Sequence, residues 1–570
     1  MKNNIIAGIF RSIAELLEIK GDNPFRIRAY LRAADNIEGL KEDIQMLAQG
    51  DRLSEIPGIG EDLAAKIKEI IATGACQHYE KLKKDVPEGV IRMLEIPSVG
   101  PKTAKLFYDR LKISSVEKLY EAARKGRLLG LPGIKEKTVE NILEGIELLK
   151  KGKERMDLLT ATNVANEIVE HLNKNRSVQK ITVAGSLRRM KETVRDIDIL
   201  VVSNNPRKAS RDFVGLTQVK QVLAQGETKS SILTKDDAQV DLRVLEASSF
   251  GAALLYFTGS KNHNIKLRHL AIKRDLKINE YGIFDKKGRC LASKTEKDMY
   301  DVLKMDYIEP QMREDTGEVE AALAHRLPRL LTLKDIRGDF HAHTNYSDGN
   351  SSIEEMAKTA VALGYDYLCL TDHSQSLKVA RGLDSAHLLK KKKELDKVNK
   401  KFKNFKILFG SEVEIDSNGG LDYKDSILAE FDIVVAAIHS GFKQSQKQLT
   451  QRIVRVCQNK YVHIIAHPTG RLWPTRGPYE IDFKEIFKVA RQTNTALEIN
   501  AHPNRLDLSD THARWAKDNH VRLAISTDAH DITHLSYMRF GIGLAKRAWL
   551  QKKDVLNTLT LKELLSSIKK

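Results

Sequence analysis

The first candidates for chemistry are two aspartates, Asp196 and Asp198, in the strand-like run DIDILVV at 196–202. Side chains two residues apart on a strand leave the same face, and Asp241, in the run QVDLRV, can join them from a neighbouring strand. Three convergent carboxylates supply the oxygen ligands that two Mg²⁺ ions require, with positions left for substrate phosphates. Two such ions can activate a 3′-hydroxyl and stabilise a leaving pyrophosphate. The triad therefore predicts two-metal nucleotidyl transfer.

Gly185 and Ser186 strengthen this interpretation because they follow a predicted strand and open a predicted helix. A helix start presents free backbone N–H groups and the positive end of the helix dipole, which suits a triphosphate. An Asp-X-Asp pair alone is more often two solvated acids at a strand edge. The pattern Gly-Ser-X(9)-Asp-X-Asp with a later aspartate is much more specific.

A second group of candidate ligands lies in the C-terminal part, where seven apolar runs end in polar residues. A single histidine at a strand end is usually structural, but nine candidate ligands at the ends of six runs favour a polynuclear metal site. Imidazole with carboxylate suits Zn²⁺, Mn²⁺ or Fe²⁺, and no cysteine is among the nine. Arg471 and Asn500, in or beside strand ends, are candidate phosphate contacts. The nine ligands are His341, His343, Asp348, His373, Glu412, His439, His467, Asp528 and His530.

The elements that must position these residues change along the chain. Residues 1–150 predict short helices separated by Pro-Gly turns, and β-branched runs at 181–184, 196–202 and 239–245 predict strands. An acidic stretch from about 303 to 337 is interpreted as a linker. Beyond it, helical patterns lie between most of the apolar runs, which predicts a β/α barrel with its chemistry at the C-terminal ends of the strands.

The N-terminal turns repeat one pattern: EIPGIG at 55–60, EIPSVG at 95–100 and a degenerate LPGI at 131–134. Glycines such as Gly58, Gly60 and Gly100 let a backbone approach a ligand closely, and the following helix offers N–H groups to a phosphate. A single copy is compatible with an ordinary helix start. Two good copies favour binding to a DNA backbone, whereas the third copy lacks the second glycine and is compatible with packing alone.

Composition supports a multidomain globular protein. The chain has 570 residues and a net charge of +18, and residues 101–300 carry 39 Lys and Arg against 25 Asp and Glu. This basic middle is equally compatible with a polyanionic partner and with a merely basic protein. The four cysteines are scattered, and no secretory segment or apolar run of bilayer length is evident, so we expect a soluble, cytoplasmic protein.

Three segments resemble known families. The turn repeats are similar to helix-hairpin-helix motifs, and GSLRR, DID and LYFTGSKNHNIKLR at 255–268 resemble the family X DNA polymerases over residues 1–310. The resemblance implies that Asp196, Asp198 and Asp241 hold two Mg²⁺ ions. It also implies a nucleotide site in which Tyr256 and Phe257 line the sugar pocket and Asn264 and Arg268 contact the nascent base pair. Ser186 and Arg189 would hold the triphosphate, and Gly185 and Gly259 are further candidate dNTP-binding residues.

The segment NPFRIRAYLRAADNI at 23–37 resembles the 8 kDa domain of that family, which holds a 5′-phosphate at a gap. Arg26 and Tyr30 match its phosphate-binding positions, and Lys66 matches a lysine that forms a Schiff base in lyase chemistry. Asp62, one turn earlier, stands where a basic residue is expected, and an acidic neighbour favours the charged, non-nucleophilic amine. We therefore prefer a DNA-facing role for Lys66 over lyase activity.

Residues 335–570 resemble the PHP (polymerase and histidinol phosphatase) family, which implies a trinuclear site in a distorted seven-stranded barrel. The implied cofactors are up to three Mn²⁺ or Zn²⁺ ions that activate water for attack on phosphorus. One ion would be held by His341, His343, Glu412 and Asp528, a second by Glu412, His439 and His467, and a third by Asp348, His373 and His530. In bacterial and archaeal family X polymerases this fusion implies 3′–5′ exonuclease activity and, in some members, 3′-phosphatase or abasic-site endonuclease activity.

The resulting fold class is multidomain: a helical helix-hairpin-helix region, an α+β palm and a C-terminal β/α barrel. We expect a monomer that binds gapped DNA and dNTPs. Two alternatives stay open, a polymerase with a purely structural PHP domain and a nucleotidyltransferase acting on another acceptor such as RNA. The predicted boundaries are 1–85 (8 kDa-like), 86–155 (fingers-like), 156–250 (palm), 251–310 (thumb-like), 311–336 (linker) and 337–570 (PHP).

Overall fold

The computed structural model describes residues 2–38, 40, 44–96 and 99–568, and it divides into two compact units. The first contains residues 1–153 together with 474–476, and the second contains the rest. None of the described helices is both long and apolar enough to cross a membrane. Pro97 and Ser98, in the second turn motif, lie outside the described residues.

The first unit is helical, as predicted. Gly60 and Gly100 are extended residues that directly precede helices, and Pro101 occupies the first turn of its helix, where its missing N–H costs nothing. Apolar side chains from all the segments form one core. The helices are Lys2–Lys20, Pro24–Glu38, Ile44–Gln49, Glu61–Thr73, Gln77–Asp85, Glu88–Met93, Pro101–Leu111, Val116–Arg124 and Glu136–Glu154.

The second unit begins with a palm-like mixed sheet in the order β2-β4-β7-β6-β5, beside the small pair β1 and β3. Strand β4 buries Ile197, Ile199 and Val201, so the alternating aspartates Asp196 and Asp198 leave the other face. The helices are Leu158–Asn173, Gly185–Arg188 and Pro206–Val214. The strands are β1 (Met156–Asp157), β2 (Val178–Val183), β3 (Thr193–Val194), β4 (Asp196–Ser203), β5 (Val219–Gln225), β6 (Lys229–Thr234) and β7 (Gln239–Leu245).

A thumb-like region follows, with a three-stranded sheet of β8 (Lys277–Asn279), β9 (Gly282–Phe284) and β10 (Cys290–Ala292). The segment 311–336, predicted as a linker, contains the helix Glu318–Leu323 and buries Met312, Val319 and Ala322 in the thumb-like core. The segment is therefore part of a packed structure in which Glu318 is fully buried, whereas Asp315 and Glu320 are exposed. The other helices of this region are Phe250–Thr258, Lys261–Ile272 and Glu296–Val302.

The C-terminal part is a seven-stranded parallel sheet whose strands pair in chain order. A bridge between Ala342 and Ala529 joins the ends of the sheet and nearly closes it, which confirms the predicted distorted barrel. Its strands are β11 (Gly338–Asp339), β12 (Tyr367–Leu370), β13 (Lys406–Glu414), β14 (Ile433–Ala437), β15 (Ile464–Ile465), β16 (Ala496–Asn500) and β17 (Leu523–Ser526). Its helices are Ile353–Ala362, Ser385–Asn399, Asp425–Leu428, Gln446–Cys457, Phe483–Thr493, Asp510–Asp518, Met538–Arg547 and Leu561–Ser567.

Candidate active sites

The three palm aspartates converge because β4 and β7 are parallel neighbours. Asp198 pairs in register with Asp241, and Asp196 lies two residues earlier on the same strand. Gly185 packs directly against them: its φ is +61°, and a Cβ added there would overlap the Asp198 carboxylate. Only glycine allows this approach of the strand-to-helix turn to the aspartates.

The electrostatics of the triad indicate a cation site. Burial and the negative charges of Asp196 and Asp241 together raise the pKa of Asp198 to about 7. Three carboxylates this close repel one another unless a cation neutralises them. Lys229 Nζ lies 3.7 Å from Asp241 Oδ2, too far for a hydrogen bond. The oxygen-only donor set fits the predicted Mg²⁺ ions, which would be held by Asp196, Asp198 and Asp241.

A cleft of about 370 Å³ opens beside the aspartates. It is bounded on the palm side by the Gly185 turn and on the other side by the thumb-like helices. Sequence reasoning missed Thr258 and Lys261, although both belong to the motif LYFTGSKNHNIKLR that it singled out. Every predicted nucleotide contact lines this cleft: Gly185, Ser186, Arg189, Tyr256, Phe257, Gly259, Asn264 and Arg268.

The helix at Gly185 is only one turn long, Gly185–Arg188, so its dipole is smaller than the sequence suggested. Arg189 follows it and is mostly buried. Its Nε donates to Glu314 Oε1 at 2.9 Å and its Nη1 to the Thr258 carbonyl at 2.5 Å. These contacts hold the guanidinium at the edge of the cleft.

A buried ion network joins palm and thumb beneath the cleft. Arg188 donates to both oxygens of Glu296 at 2.8 and 2.7 Å, and the fully buried Arg313 donates to the same carboxylate at 2.6 Å. Burial alone would raise the pKa of Glu296, but the two arginines lower it to about 2. A bidentate, shared carboxylate of this kind fixes the two regions relative to each other.

The thumb side of the cleft is set by local hydrogen bonds. Asn264 Nδ2 donates to the Tyr256 carbonyl at 2.7 Å, and Arg268 Nε lies 3.3 Å from the Asn264 carbonyl. The Tyr256 ring is 38% exposed and meets the Phe257 ring edge-on at 5.1 Å. An exposed tyrosine beside a partly buried phenylalanine at the rim of a polar cleft suits contact with a sugar.

The barrel brings the nine predicted ligands together at the C-terminal ends of its strands. Glu412, near the end of β13, lies at the centre of this group. Ring nitrogens of five histidines lie 2.8 to 3.6 Å from its carboxylate oxygens. Glu412 is 1% exposed. The five histidines are His341, His343, His373, His439 and His467.

Three sets of these ligands have donor atoms within 4.8 Å of one another. They overlap with the three predicted ion positions but differ in four members. His343 also joins the Asp348 set and His373 joins Glu412 and His439, whereas Glu412 is absent from the His341 set and His467 is in none of the sets. The buried atoms His341 Nε2, His343 Nε2 and His467 Nδ1 have no hydrogen-bond partner among the described residues. His341 Nε2 and His343 Nε2 face Glu412 and Asp528 without such bonds, which fits metal ligation. The sets are His343, Asp348, His373 and His530; His341, His343 and Asp528; and His373, Glu412 and His439.

Two carboxylates that sequence reasoning missed orient the histidines. Glu498 Oε1 lies 2.8 Å from His341 Nδ1, and Glu414 Oε2 lies 2.7 Å from His439 Nδ1. Such contacts leave Nε2 free to face a metal. Glu414 has a sequence signal, because it lies two residues after Glu412 on the same strand.

The candidate phosphate contacts of the barrel have other partners. Asn500 is fully buried and donates to Glu498 and Asp528, both at 3.1 Å. Arg471 donates to Glu192 of the palm at 2.5 Å and to two backbone carbonyls. Neither side chain is therefore available to bind a phosphate, since both already donate hydrogen bonds within the protein. Arg505, which donates to Asp528 Oδ2 at 3.1 Å, lies closer to the ligands.

Neighbouring charges shift the pKa values of the histidines in this cluster. Burial would lower the pKa of His373, but Glu412 and Asp348 raise it to about 10. Burial and the charges of His530 and His373 together lower the pKa of His343 to about 4. A neutral imidazole such as that of His343 is the form that binds metal.

In the first unit, the two residues predicted to bind a 5′-phosphate differ in solvent exposure. Tyr30 is 2% exposed, whereas the Arg26 side chain is 46% exposed and its Nη2 lies 3.4 Å from His78 Nε2. Lys66 Nζ forms an ion pair with Asp62 Oδ1 at 2.5 Å. A hydrogen bond from Lys66 lowers the pKa of Asp62. The predicted acidic neighbour is therefore in direct contact with the lysine.

The turn motifs present their glycines openly. Apart from the adjacent residues of the chain, no heavy atom of the described residues lies within 4 Å of the positions that a Cβ would take at Gly60 and Gly100. Gly58 has a φ of +81°, and Asn36 Nδ2 donates to the Pro57 carbonyl within the same turn at 2.5 Å. This geometry leaves room for a DNA backbone to approach both helix starts.

A carboxylate triad in a palm sheet and a histidine cluster in a β/α barrel define an enzyme class with two separate metal sites for phosphoryl chemistry. Family models match four parts of the chain: a helix-hairpin-helix domain at 1–76, a SAM-like helix-hairpin-helix tandem at 90–147, the DNA polymerase beta thumb at 253–314 and the PHP domain at 339–502.

Known proteins agree with this division. The chain is 39% identical to the DNA polymerase/3′-5′ exonuclease PolX of Bacillus subtilis (strain 168) over the whole of both chains. DNA polymerase lambda of Rattus norvegicus is 23% identical over 53% of this chain and 54% of its own. A probable phosphatase of Thermoanaerobacter sp. (strain X514) is 31% identical over 39% of this chain and 89% of its own. This chain belongs to the family X DNA polymerases that carry a C-terminal PHP domain.

Proposed function

We propose that this protein is a DNA-directed DNA polymerase that fills short gaps during repair, fused to a phosphoesterase that acts as a 3′–5′ exonuclease. The observation that carries the polymerase assignment is that Asp196 and Asp198 line one cleft with the Gly185 turn and the thumb-like helices, while Asp241 pairs in register with Asp198 on the neighbouring strand. The relatives named for polymerase and exonuclease activity support the same assignment.

In the polymerase site the chain's residues bind and orient the nucleotide. Ser186 and Arg189 contact the triphosphate, and Tyr256 packs against the sugar, where it disfavours a ribose 2′-hydroxyl. Asn264 and Arg268 contact the nascent base pair from the minor groove. Two Mg²⁺ ions, held by the aspartates, would supply activation of the 3′-hydroxyl and stabilisation of the pyrophosphate.

In the barrel, Mn²⁺ or Zn²⁺ ions would supply an activated water for attack on a phosphodiester. The chain's own contribution is to hold the nine ligands rigidly: Glu498 and Glu414 fix the imidazoles of His341 and His439. The substrates are 3′ DNA ends, with 3′-phosphates and abasic sites as further candidates.

DNA is held by the first unit through phosphate contacts at the two turn motifs, and Arg26 contributes the exposed charge of a 5′-end pocket. Lys66 does not form a Schiff base, because its amine is paired with Asp62; its side chain is 13% exposed, so it has little surface to offer DNA. We propose that the protein acts as a monomer on gapped DNA with dNTPs. We also propose domain boundaries at 85/86, 155/156 and 250/251, with the segment 311–336 belonging to the thumb-like region.

The test uses purified protein with labelled DNA carrying a one-nucleotide gap, with and without dNTPs, in Mg²⁺ and in Mn²⁺. Asp198→Ala should abolish nucleotide addition and leave degradation of 3′ ends intact, because Asp198 touches only the palm site. His341→Ala should do the reverse. Failure of the wild-type protein to extend the primer would refute the polymerase assignment.

The barrel variant needs a structural control because metal binding and folding are coupled. Circular dichroism and metal content are measured for His341→Ala beside its activity. A folded, metal-depleted variant that degrades 3′ ends as fast as wild type would replace our assignment with the second candidate, a barrel that is only structural.

A further inference from the structure

The carboxylate of Glu314 lies between an arginine of the polymerase cleft and an arginine of the barrel. Its Oε1 accepts hydrogen bonds from Arg189 Nε at 2.9 Å and from Arg547 Nη1 at 2.8 Å. The exposed side-chain fractions are 11% for Arg189, 17% for Glu314 and 2% for Arg547. Charges in such a poorly solvated position interact strongly, so the two arginines share one counter-ion.

Arg547 holds Arg189 by two routes and is itself anchored in the barrel. Its Nη1 also donates to the backbone carbonyl of Arg189 at 3.0 Å, and its Nη2 donates to Asp510 Oδ2 at 2.5 Å. Lys191 Nζ lies 3.8 Å from the other oxygen of Glu314. The side chain and the main chain of Arg189 are therefore both tied to one barrel residue.

The helix Met538–Arg547 brings Arg547 to this place through close packing. A Cβ at Gly541 would lie 2.8 Å from Ala501 Cβ in the barrel, and a Cβ at Gly543 would lie 2.9 Å from Met190 Cβ in the palm. Met190 directly follows Arg189 and has a φ of +53°. Glycines on the two sides of this helix let it contact both parts closely, which limits movement of Arg547.

We propose that Arg547 is a positioning residue for nucleotide binding, and that it acts through Glu314 to hold the Arg189 guanidinium towards the triphosphate. The inference rests on the proposed polymerase function. Without Arg547, the cations recorded beside Glu314 in the described part of the chain are Arg189 and Lys191, so Glu314 draws the Arg189 guanidinium away from the cleft. The barrel thus contributes to the polymerase site by a route that involves none of its nine metal ligands.

The experiment measures single-nucleotide incorporation on gapped DNA by the full-length protein. Arg547→Gln should raise the KM for dNTP about tenfold, the size expected when one charge-assisted hydrogen bond to the substrate is weakened. We expect kcat to change less than about threefold, since the aspartates are untouched. Arg547→Lys keeps the charge and should restore most of the affinity.

Two further variants separate positioning from a general loosening of the structure. Glu192→Gln removes the ion pair with Arg471, another contact between palm and barrel that does not involve Glu314, and should leave the KM within about twofold of wild type. In a Glu314→Gln background, Arg547→Gln should add less than about threefold, because residues acting in series are not additive. Unfolding temperature and 3′-end degradation are measured on every variant.

An unchanged KM in Arg547→Gln, or an equal rise in Glu192→Gln, would overturn the inference while leaving the polymerase assignment standing. The same holds if Arg547→Gln lowers only kcat. Absence of incorporation by the wild-type protein would overturn the proposed function and this inference with it. Should Arg547→Gln fold poorly, Asp510→Asn provides the milder test: it releases Arg547 from the barrel and should raise the KM by a smaller factor.

Discussion

The contact between Gly185 and Asp198 provides a sharp test of the polymerase site. Gly185→Ala should reduce nucleotide incorporation about 100-fold, because the added Cβ would overlap the Asp198 carboxylate and displacing a catalytic group by about 1 Å has an effect of this size. Asp198 cannot move with its backbone, since its strand is held on both sides by the palm sheet. Its side chain must therefore turn away from Asp196 and Asp241.

The substitution also introduces backbone strain, because Gly185 has a φ of +61°. A non-glycine residue in this region costs about 1–2 kcal/mol. Gly288→Ala is the matched control: its φ is +77°, and beyond its chain neighbours no atom of the described residues lies within 4 Å of its Cβ position. It carries the strain without the contact, so it should lose a similar amount of stability and keep its activity.

The assay is single-turnover extension of a gapped primer in Mg²⁺, with unfolding midpoints in urea and 3′-end degradation measured on the same preparations. A loss of activity below about threefold in Gly185→Ala would refute the argument that this contact sets the ligand geometry. An equal loss in Gly288→Ala would instead assign the effect to strain.

Three further predictions concern DNA, the sugar and pH. The protein should bind 5′-phosphorylated gapped DNA more tightly than intact duplex and lose at least about tenfold in affinity between 50 and 200 mM salt, since its contacts are mainly to phosphate; equal affinities in filter binding would contradict this. Tyr256→Ala should lower the preference for dNTP over rNTP, and an unchanged ratio would show that the ring is not the gate. When a chelator keeps the palm site free of metal, burial and the charges of Asp196 and Asp241 raise the pKa of Asp198 from 3.8 to about 7. Between these two pH values the folded protein therefore keeps a proton on Asp198 that the unfolded chain releases. The free energy of unfolding of the wild-type protein should therefore fall between about pH 4 and about pH 7 relative to that of Asp198→Asn. Urea midpoints of the two proteins that change with pH in parallel would refute this prediction.

Residue types and their spacing were sufficient to predict two clusters of candidate metal ligands. The alternation of strand side chains places Asp196 and Asp198 on one face, and polar residues at the ends of parallel strands meet at one end of a barrel. The alternation of side chains is a local property of a strand, and the meeting of strand ends follows from the barrel fold. For that reason the sequence alone was enough to predict the triad, the barrel and the convergence of its histidines and carboxylates, eight of which fall into the three close sets.

Side chains whose role depends on distant partners could not be predicted. Tyr30 and Asn500 have the residue types of binding groups, yet packing buries both, and the acidic segment 311–336 resembles a linker although its apolar residues complete the thumb-like core. Burial of this kind is a property of surfaces that meet only after folding.

The partners of the ligands were decided by the tertiary structure alone. Glu498 is 157 residues from His341, and Arg547 is 358 residues from the Arg189 carbonyl that it holds. No periodicity spans such separations. Sequence thus determined which atoms can carry the chemistry, because that depends on residue type, whereas the fold determined how rigidly those atoms are held, because orientation depends on contacts between elements far apart in the chain.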